Sequence, residues 1–413
     1  MVIVTDSSLV AAFHRLASAH ERSGLLTRVR TLQSIRIAYP DGRDDAERIR
    51  MFLKDARSEW GIDYALLGGD EPLIPMRRAS LDHLPLHGKR TGLLLPTDQY
   101  YACLDGDWNA DGDACWGEAP DPKTGERGDD ADALPELCVG RAPVIDAKQT
   151  DAFVEKTIRA LERPASQALP SALIIAAGSL DPAPRAIPRF TPFAEDIVWR
   201  LGKLKAATVT RLYRNEGEGA GAKPLTRRSA LDALGKGADL TLLLGFGGPG
   251  SFALDTYGRP ETLEAEDLVA LRSSRSPGHA VALSAFTTVP GRLSVGAALI
   301  RAEHGGCVSV LGPTDIEVPS IAAAWIEAYL HEGFANQAAT IGEAMRAALR
   351  ATRIPPSRDS VRLTTLGNVL LGDPALPFPA AAPHARRDAA SKAAPLSGAP
   401  PSRRAAGLEG SAP

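Results

Sequence analysis

Short apolar runs and amphipathic segments alternate along this chain in two successive series, a rhythm that few folds accommodate. In the first series, residues 2–5 read as a buried strand. Residues 9–22 read as a helix through the spacing of Leu9, Ala12, Phe13 and Leu16. Residues 34–38 read as a strand, 44–60 as an amphipathic helix through Ile49, Phe52, Leu53 and Ala56, and 64–67 as a buried strand ending in Gly68-Gly69-Asp70. A stretch rich in Pro, Gly and Asp covers 71–136, followed by a strand at 137–140 and a helix at 150–161. Residues 164–170 read as a linker. Beyond it the second series places strands at 172–177, 207–213, 240–244, 280–283 and 308–311, with helices at 193–204, 229–234, 294–303, 320–330 and 341–350. This order predicts an α/β fold of mostly parallel sheets flanked by helices, in two side-by-side subdomains, 1–165 and 166–378. Residues 379–413 carry almost no large apolar side chain and predict a disordered tail.

A chain of 413 residues with 44% apolar and 23% charged residues has the material for a large core. Its net charge of -3 gives no reason to expect nucleic acid or an anionic membrane as partner. No apolar run approaches the roughly 18 residues of a membrane span. The opening Met1-Val2-Ile3-Val4-Thr5-Asp6 has neither the basic nor the long apolar segment of a signal peptide. Cys103, Cys115, Cys138 and Cys307 show no metal spacing, so the expectation is a cytoplasmic protein with reduced thiols.

In an open parallel sheet, ligands bind beyond the carboxyl ends of the strands. Here that edge comprises Gly68-Gly69-Asp70, Gly178-Ser179, Gly245-Phe246-Gly247, residues 284–288 and residues 312–315. Gly245, Gly247 and Gly250 spell G-x-G-x-x-G, but a dinucleotide site needs that loop to open a helix, and the following residues have no helical pattern. Nucleophilic catalysis needs a Cys or Ser with a His in reach. None of the eight histidines falls on this edge: His14 and His20 lie on the first helix, His83 and His87 in the loop-rich stretch, His279 before its strand, His304 and His331 at helix ends, and His384 in the tail. The cysteines read as packing residues.

One loop has ligand character. From Asp107 to Glu118 the chain fits the twelve-residue calcium-loop spacing, with Asp107, Asn109, Asp111, the Asp113 carbonyl and Glu118 as oxygen ligands and Gly112 at the sharp turn. EF-hand helices do not flank it, and the alternative is a solvated acidic loop.

Several segments, in order, resemble the gingipain-type cysteine peptidases: Ile3-Val4-Thr5 with the next helix, residues 46–70 ending in Gly69-Asp70, Pro96-Thr97-Asp98-Gln99-Tyr100-Tyr101, Val139-Gly140-Arg141-Ala142-Pro143-Val144, and Leu371-Gly372-Asp373-Pro374-Ala375. The likeness covers about residues 1–378. It implies a caspase-like fold and raises the expectation of a structural calcium site. It also implies a catalytic His in a Gly-His-Gly turn and a Cys ending the next core strand. Phe246 and Phe286 stand at those two positions here, and Gly247 keeps only a backbone N–H.

Three functions follow as expectations. The first is a silent peptidase homologue whose cleft binds a peptide, a protein or an apolar small molecule; the bland alternative is that the phenylalanines merely fill the old site. The second is a repurposed enzyme using the polar residues near that edge, Ser251, Asp255, Ser284, Thr287, Thr288, Thr314 and Asp315, although each of these is commonly a turn-former or cap. The third is a cysteine endopeptidase with a displaced pair, of which His279 with Cys307 is the least unfavourable.

Overall fold

The computed structural model describes residues 1–81, 92–120, 125, 127–129, 131, 133–163, 171–177, 190–203, 208–214, 221–254, 261–273, 275, 277–352 and 359–379. The linker expected at 164–170, Gly178-Ser179, Asp255 and residues 380–413 lie outside them.

The first series runs β1 (Val2–Thr5), α1 (Val10–Arg22), β2 (Arg28–Thr31), α2 (Leu32–Ala38), α3 (Asp45–Trp60), β3 (Tyr64–Gly68), β4 (Arg77–Leu81), β5 (Leu93–Thr97), α4 (Gln99–Ala102), β6 (Cys138–Ala142) and α5 (Ala147–Leu161). The second begins β7 (Ser171–Ala176), α6 (Phe190–Lys203), β8 (Thr208–Tyr213), β9 (Lys223–Pro224), α7 (Arg227–Lys236), β10 (Leu240–Leu244), β11 (Phe246–Gly248), β12 (Ser251–Ala253), β13 (Thr262–Glu264) and α8 (Ala265–Val269). It continues with β14 (Gly278–Leu283), α9 (Val295–Arg301), β15 (Cys307–Pro313), α10 (Pro319–Phe334), α11 (Ile341–Ala351), α12 (Asp359–Gly367) and β16 (Asn368–Gly372).

One mostly parallel sheet carries both series, in the order β2-β1-β3-β6-β16-β15-β14-β10-β7-β8-β9. Strands β1, β3, β10 and β14 are buried on both faces, as their near-continuous apolar sequences require. The last strand, β16, lies between the series: it runs antiparallel to β15 and meets β6 through the Leu371–Arg141 pair. No helix among the described residues is long and apolar enough to cross a membrane.

Residues 34–38 form the end of α2 rather than the expected strand; the strand precedes it as β2. The Thr31 hydroxyl accepts from Ser34 N–H and starts the helix, which buries Leu32 and Ile35 one turn apart. The apparent alternation of Ile35, Arg36 and Ile37 misleads because Ile37 is 83% exposed. The longer helices carry similar signals: Asp44, Asp146 and Thr340 accept from the third helical N–H of α3, α5 and α11.

Buried polar ties hold the first series together and join it to the second. The Arg141 guanidinium donates to both Asp98 oxygens at 2.8 and 2.6 Å and to the Gly69 and Ile74 carbonyls at 2.8 and 2.7 Å. Arg301, ending α9, donates to Asp70 at 2.7 Å and to Pro143 O at 2.6 Å. His20 of α1 meets Asp373 at 2.6 Å. Lys156 of α5 reaches across to α9 and β15, where its ammonium donates to the Ile300 and Ala302 carbonyls at 2.5 and 2.8 Å and to those of Gly305 and Cys307 at 3.4 Å. Burial lowers the Lys156 pKa to about 8.

Candidate functional site

Strands β10 and β14 pair in parallel with Leu244 opposite Leu283, so the segments leaving them emerge side by side. The first turns into a small antiparallel sheet, β11-β12-β13, and no helix opens at the glycine-rich turn. Gly247 is pressed against the second segment: a methyl group there would overlap the Ala285 carbonyl and come within 2.6 Å of Ser284 Oγ. Only glycine allows this approach.

The two phenylalanines are held differently. The Phe246 ring is half-buried and packs edge-on against buried Phe190, with centroids 5.2 Å apart and planes at 74°. Phe286 is also half-buried, but its backbone is left-handed at φ 58. A bulky side chain rarely adopts that conformation, and doing so costs roughly 1–2 kcal/mol. Its N–H donates to Asp315 O at 3.0 Å, which ties the segment after β14 to the segment after β15.

Most of the sequence-predicted polar residues here serve the backbone. Thr287, Thr288 and Thr314 hydroxyls donate to the carbonyls of Ser284 (2.6 Å), Gly312 (3.0 Å) and Pro96 (2.7 Å). Ser284 is buried, and Ser251 lies half-buried on β12. The Asp315 carboxylate accepts from Ile316 N–H at 2.7 Å, and burial raises its pKa. At the neighbouring strand end Asp70 is engaged by Arg301 and by Gly291 N–H at 3.0 Å.

Glu317 was missed by the sequence reading. Both of its carboxyl oxygens are shut from solvent without a hydrogen-bond partner. Burial pushes its pKa up to about 8, and the Ser284 N–H faces it without closing a bond of ordinary geometry. The available signal was Asp315-Ile316-Glu317: acids two apart, directly beyond a buried strand.

Among the described residues no His or Cys stands at this edge. Cys138 and Cys307 open β6 and β15 at their amino ends. His279 pairs across the sheet with Ser309 rather than Cys307. Its two ring nitrogens are taken by the Ser309 hydroxyl and, at 2.5 Å, by the Tyr329 hydroxyl. Burial lowers the His279 pKa to about 3 and raises that of the Cys307 thiol to about 12, so neither proton transfer nor thiolate formation is favoured.

In the acidic loop, ligand atoms of Asp113, Cys115 and Glu118 lie within 4.8 Å of one another. The other predicted ligands have local work: Asp107 accepts from Asn109 N–H at 3.0 Å and Asp111 from Asp113 N–H at 3.2 Å, while the Asp113 carbonyl accepts from the Asn109 amide at 2.9 Å. Asn109 Oδ1 is buried without a partner, a position that a cation would satisfy. Against this, the α12 guanidinium of Arg362 already donates to Gly117 O within the loop. Asp129, which nothing in the sequence singled out, accepts from Ala110 and Glu118 N–H at 2.6 and 3.1 Å. The donor set therefore fits a cation in part.

A mostly parallel sheet between helices, with two segments emerging side by side from central strands, defines a caspase-like α/β scaffold. The model of "Peptidase family C25" matches residues 1–379, and the chain belongs to that family. RgpB of Porphyromonas gingivalis, in the complex of its pro- and mature domains, shares the fold with a TM-score of 0.69 at 17% identity, over 92% of this chain and 79% of that chain. The crystal structure of the Arg-specific cysteine proteinase gingipain R gives 0.68 at 18% identity, over 92% and 78%. A further solved protease gives 0.64 at 14% identity, over 92% and 78%. Comparison with curated protein sequences gives no match.

Proposed function

We propose that this chain is a gingipain-type peptidase homologue that binds a peptide, a protein or an apolar small molecule in the cleft beyond β10 and β14, without cysteine-peptidase chemistry. One observation carries the reading: Phe246 and Phe286 occupy the two strand ends where the family resemblance calls for His and Cys. An aromatic ring neither attacks a carbonyl nor shuttles a proton. The Phe246–Phe190 contact supports an apolar wall rather than a catalytic one. The repurposed-enzyme reading is weakened by the three threonine hydroxyls already bonded to carbonyls. The displaced-pair reading is weakened by the engagement of both His279 nitrogens.

The activity test uses Arg- and Lys-containing peptides with the calcium-supplied protein. Turnover at the uncatalysed rate is expected. Substantial cleavage by the wild type overturns the reading, and its loss in Cys307→Ala would establish the displaced pair instead. The double variant Phe246→His plus Phe286→Cys asks whether the scaffold still supports the family chemistry.

The acidic loop is proposed to take a structural calcium ion through Asp107, Asn109, Asp111, the Asp113 carbonyl and Glu118, with a local rearrangement of the turns described above. Calcium at a hundred times its dissociation constant should stabilise the fold by about 2.7 kcal/mol. A melting temperature unmoved by calcium or by a chelator would leave the charge balance of the loop to the arginines around it, Arg43, Arg50 and Arg362.

A further inference from the structure

We propose that the segments leaving β14 and β15 form a proton-controlled latch at the altered cleft, closed while the Glu317 carboxyl is uncharged and released when it ionises. The geometry has three parts. Both Glu317 oxygens are enclosed without a partner, and a buried acid in that state tolerates the uncharged form far better than the charged one. The Phe286 N–H to Asp315 O bond, 3.0 Å long, is the tie between the two segments nearest Glu317 in sequence, with Thr288 N–H to Pro313 O at 2.9 Å behind it. The fastened Phe286 sits in a left-handed conformation that opening would relieve. Closure thus holds two unfavourable features in one place, and release of either favours the open arrangement.

The surroundings offer ionised Glu317 too little to offset its burial. The end of β14 presents the Ser284 N–H and no charge. Glu317's own segment presents Asp315, an acid. On α12, Arg362 is turned to Asp359 and the Gly117 carbonyl. Helix α10 starts two residues later with an uncapped N-terminus, whose dipole favours a nearby carboxylate, yet neither Glu317 oxygen takes a hydrogen bond from it. Among the described residues no cationic side chain pairs with Glu317.

The direction of the pH effect follows. In the closed arrangement burial keeps the proton on Glu317 up to about pH 8, whereas a solvated glutamate loses it near its ordinary value of 4.5. Between those values the open form binds fewer protons, so each pH unit favours opening by up to tenfold.

The latch acts on the cleft whose binding role is proposed above and so rests on that reading for its consequence, but the two can be tested apart. Hydrogen exchange of the full chain, read by mass spectrometry from pH 5 to 9 and corrected for intrinsic amide chemistry, reports opening around residues 284–288 and 313–318. Wild type should show a corrected rise of up to tenfold per unit that levels off near pH 8, and Glu317→Gln should remove it. Glu317→Met serves the same purpose if the glutamine variant does not fold. Equal corrected slopes in wild type and a folded variant overturn the latch. In parallel, binding of the apolar dye 1-anilinonaphthalene-8-sulfonate is measured at pH 6 and pH 8.5, with Phe246→Ala as the cleft control. Stronger binding at the higher pH that depends on Phe246 supports the latch acting on the cleft. A pH-dependent exchange slope without such binding leaves the latch standing and overturns the apolar-ligand form of the binding reading.

Discussion

Lys156 and Glu317 are both buried ionisable side chains, and each titrates near pH 8, yet their surroundings are opposites. Four carbonyl oxygens from α9, β15 and their connection surround the Lys156 ammonium and stand in for water. The Glu317 carboxyl has no partner for either oxygen. At neutral pH the lysine therefore keeps its charge inside the protein while the acid gives its charge up. The difference separates polar groups that hold the two series together from one that sits at a strand edge at a cost. The Arg301–Asp70 tie between the series belongs with Lys156, as does Arg141–Asp98 within the first: their donors are bonded to carboxylates and carbonyls, and they read as structural.

The largest expected effect at a single pH breaks the partnered member. Lys156→Met leaves the Ile300 and Ala302 carbonyls without their donor and should cost on the order of 3 kcal/mol in denaturant unfolding. A cost below about 1 kcal/mol would mean that water replaces the ammonium and that the tie contributes little.

Next comes the orphan acid. An acid whose pKa is raised on folding stabilises the fold most below its unfolded value, and that contribution is lost as pH rises through the folded value. The window for Glu317 is pH 4.5 to about 8. The stability of wild type minus that of Glu317→Gln should fall by up to about 1.4 kcal/mol per pH unit there and then level. The difference is needed because the buried Met1 ammonium, lowered to about 6 from 8.0, raises stability with pH in part of the same range. A flat difference would place Glu317 in contact with water.

The smallest effect compares the two phenylalanines. Phe286→Gly relieves a left-handed backbone, whereas Phe246→Gly removes a ring packed on Phe190. The first should therefore be less damaging than the second, by about 1 kcal/mol from the backbone term alone. Equal costs by thermal or chemical unfolding would mean that the Phe286 ring contributes packing that offsets its strain.

These contrasts also mark what can be read from a sequence. The parallel sheet was legible because runs such as Leu240–Leu244 and Gly278–Leu283 are apolar but for Thr241 and His279, a pattern that needs cover on both faces. Strand ends were legible for the same reason, and with them the places of Phe246 and Phe286. Residues 34–38 were misread because a local alternation can be satisfied by a short helix once Thr31 caps it. Glu317 was not legible because an acid after a strand is ordinarily solvated; only the enclosing fold removes its partners. The side chains after β14 and β15 looked like chemistry in the sequence, but three of their hydroxyls turn back onto carbonyls. Hydroxyl direction is set by tertiary packing that one sequence does not display.

The position of β16 has a consequence for how the molecule is made. This strand, Asn368–Gly372, stands between β6 and β15, so the seam of the sheet is filled by a segment made after the strands on both sides of it. Until it arrives, β6 and β15 each present an open edge to the crowded interior of the cell, where unpaired edges invite wrong partners. A chain cut short before Asn368 would leave both edges uncovered, so synthesis of this one strand is the step that closes the seam.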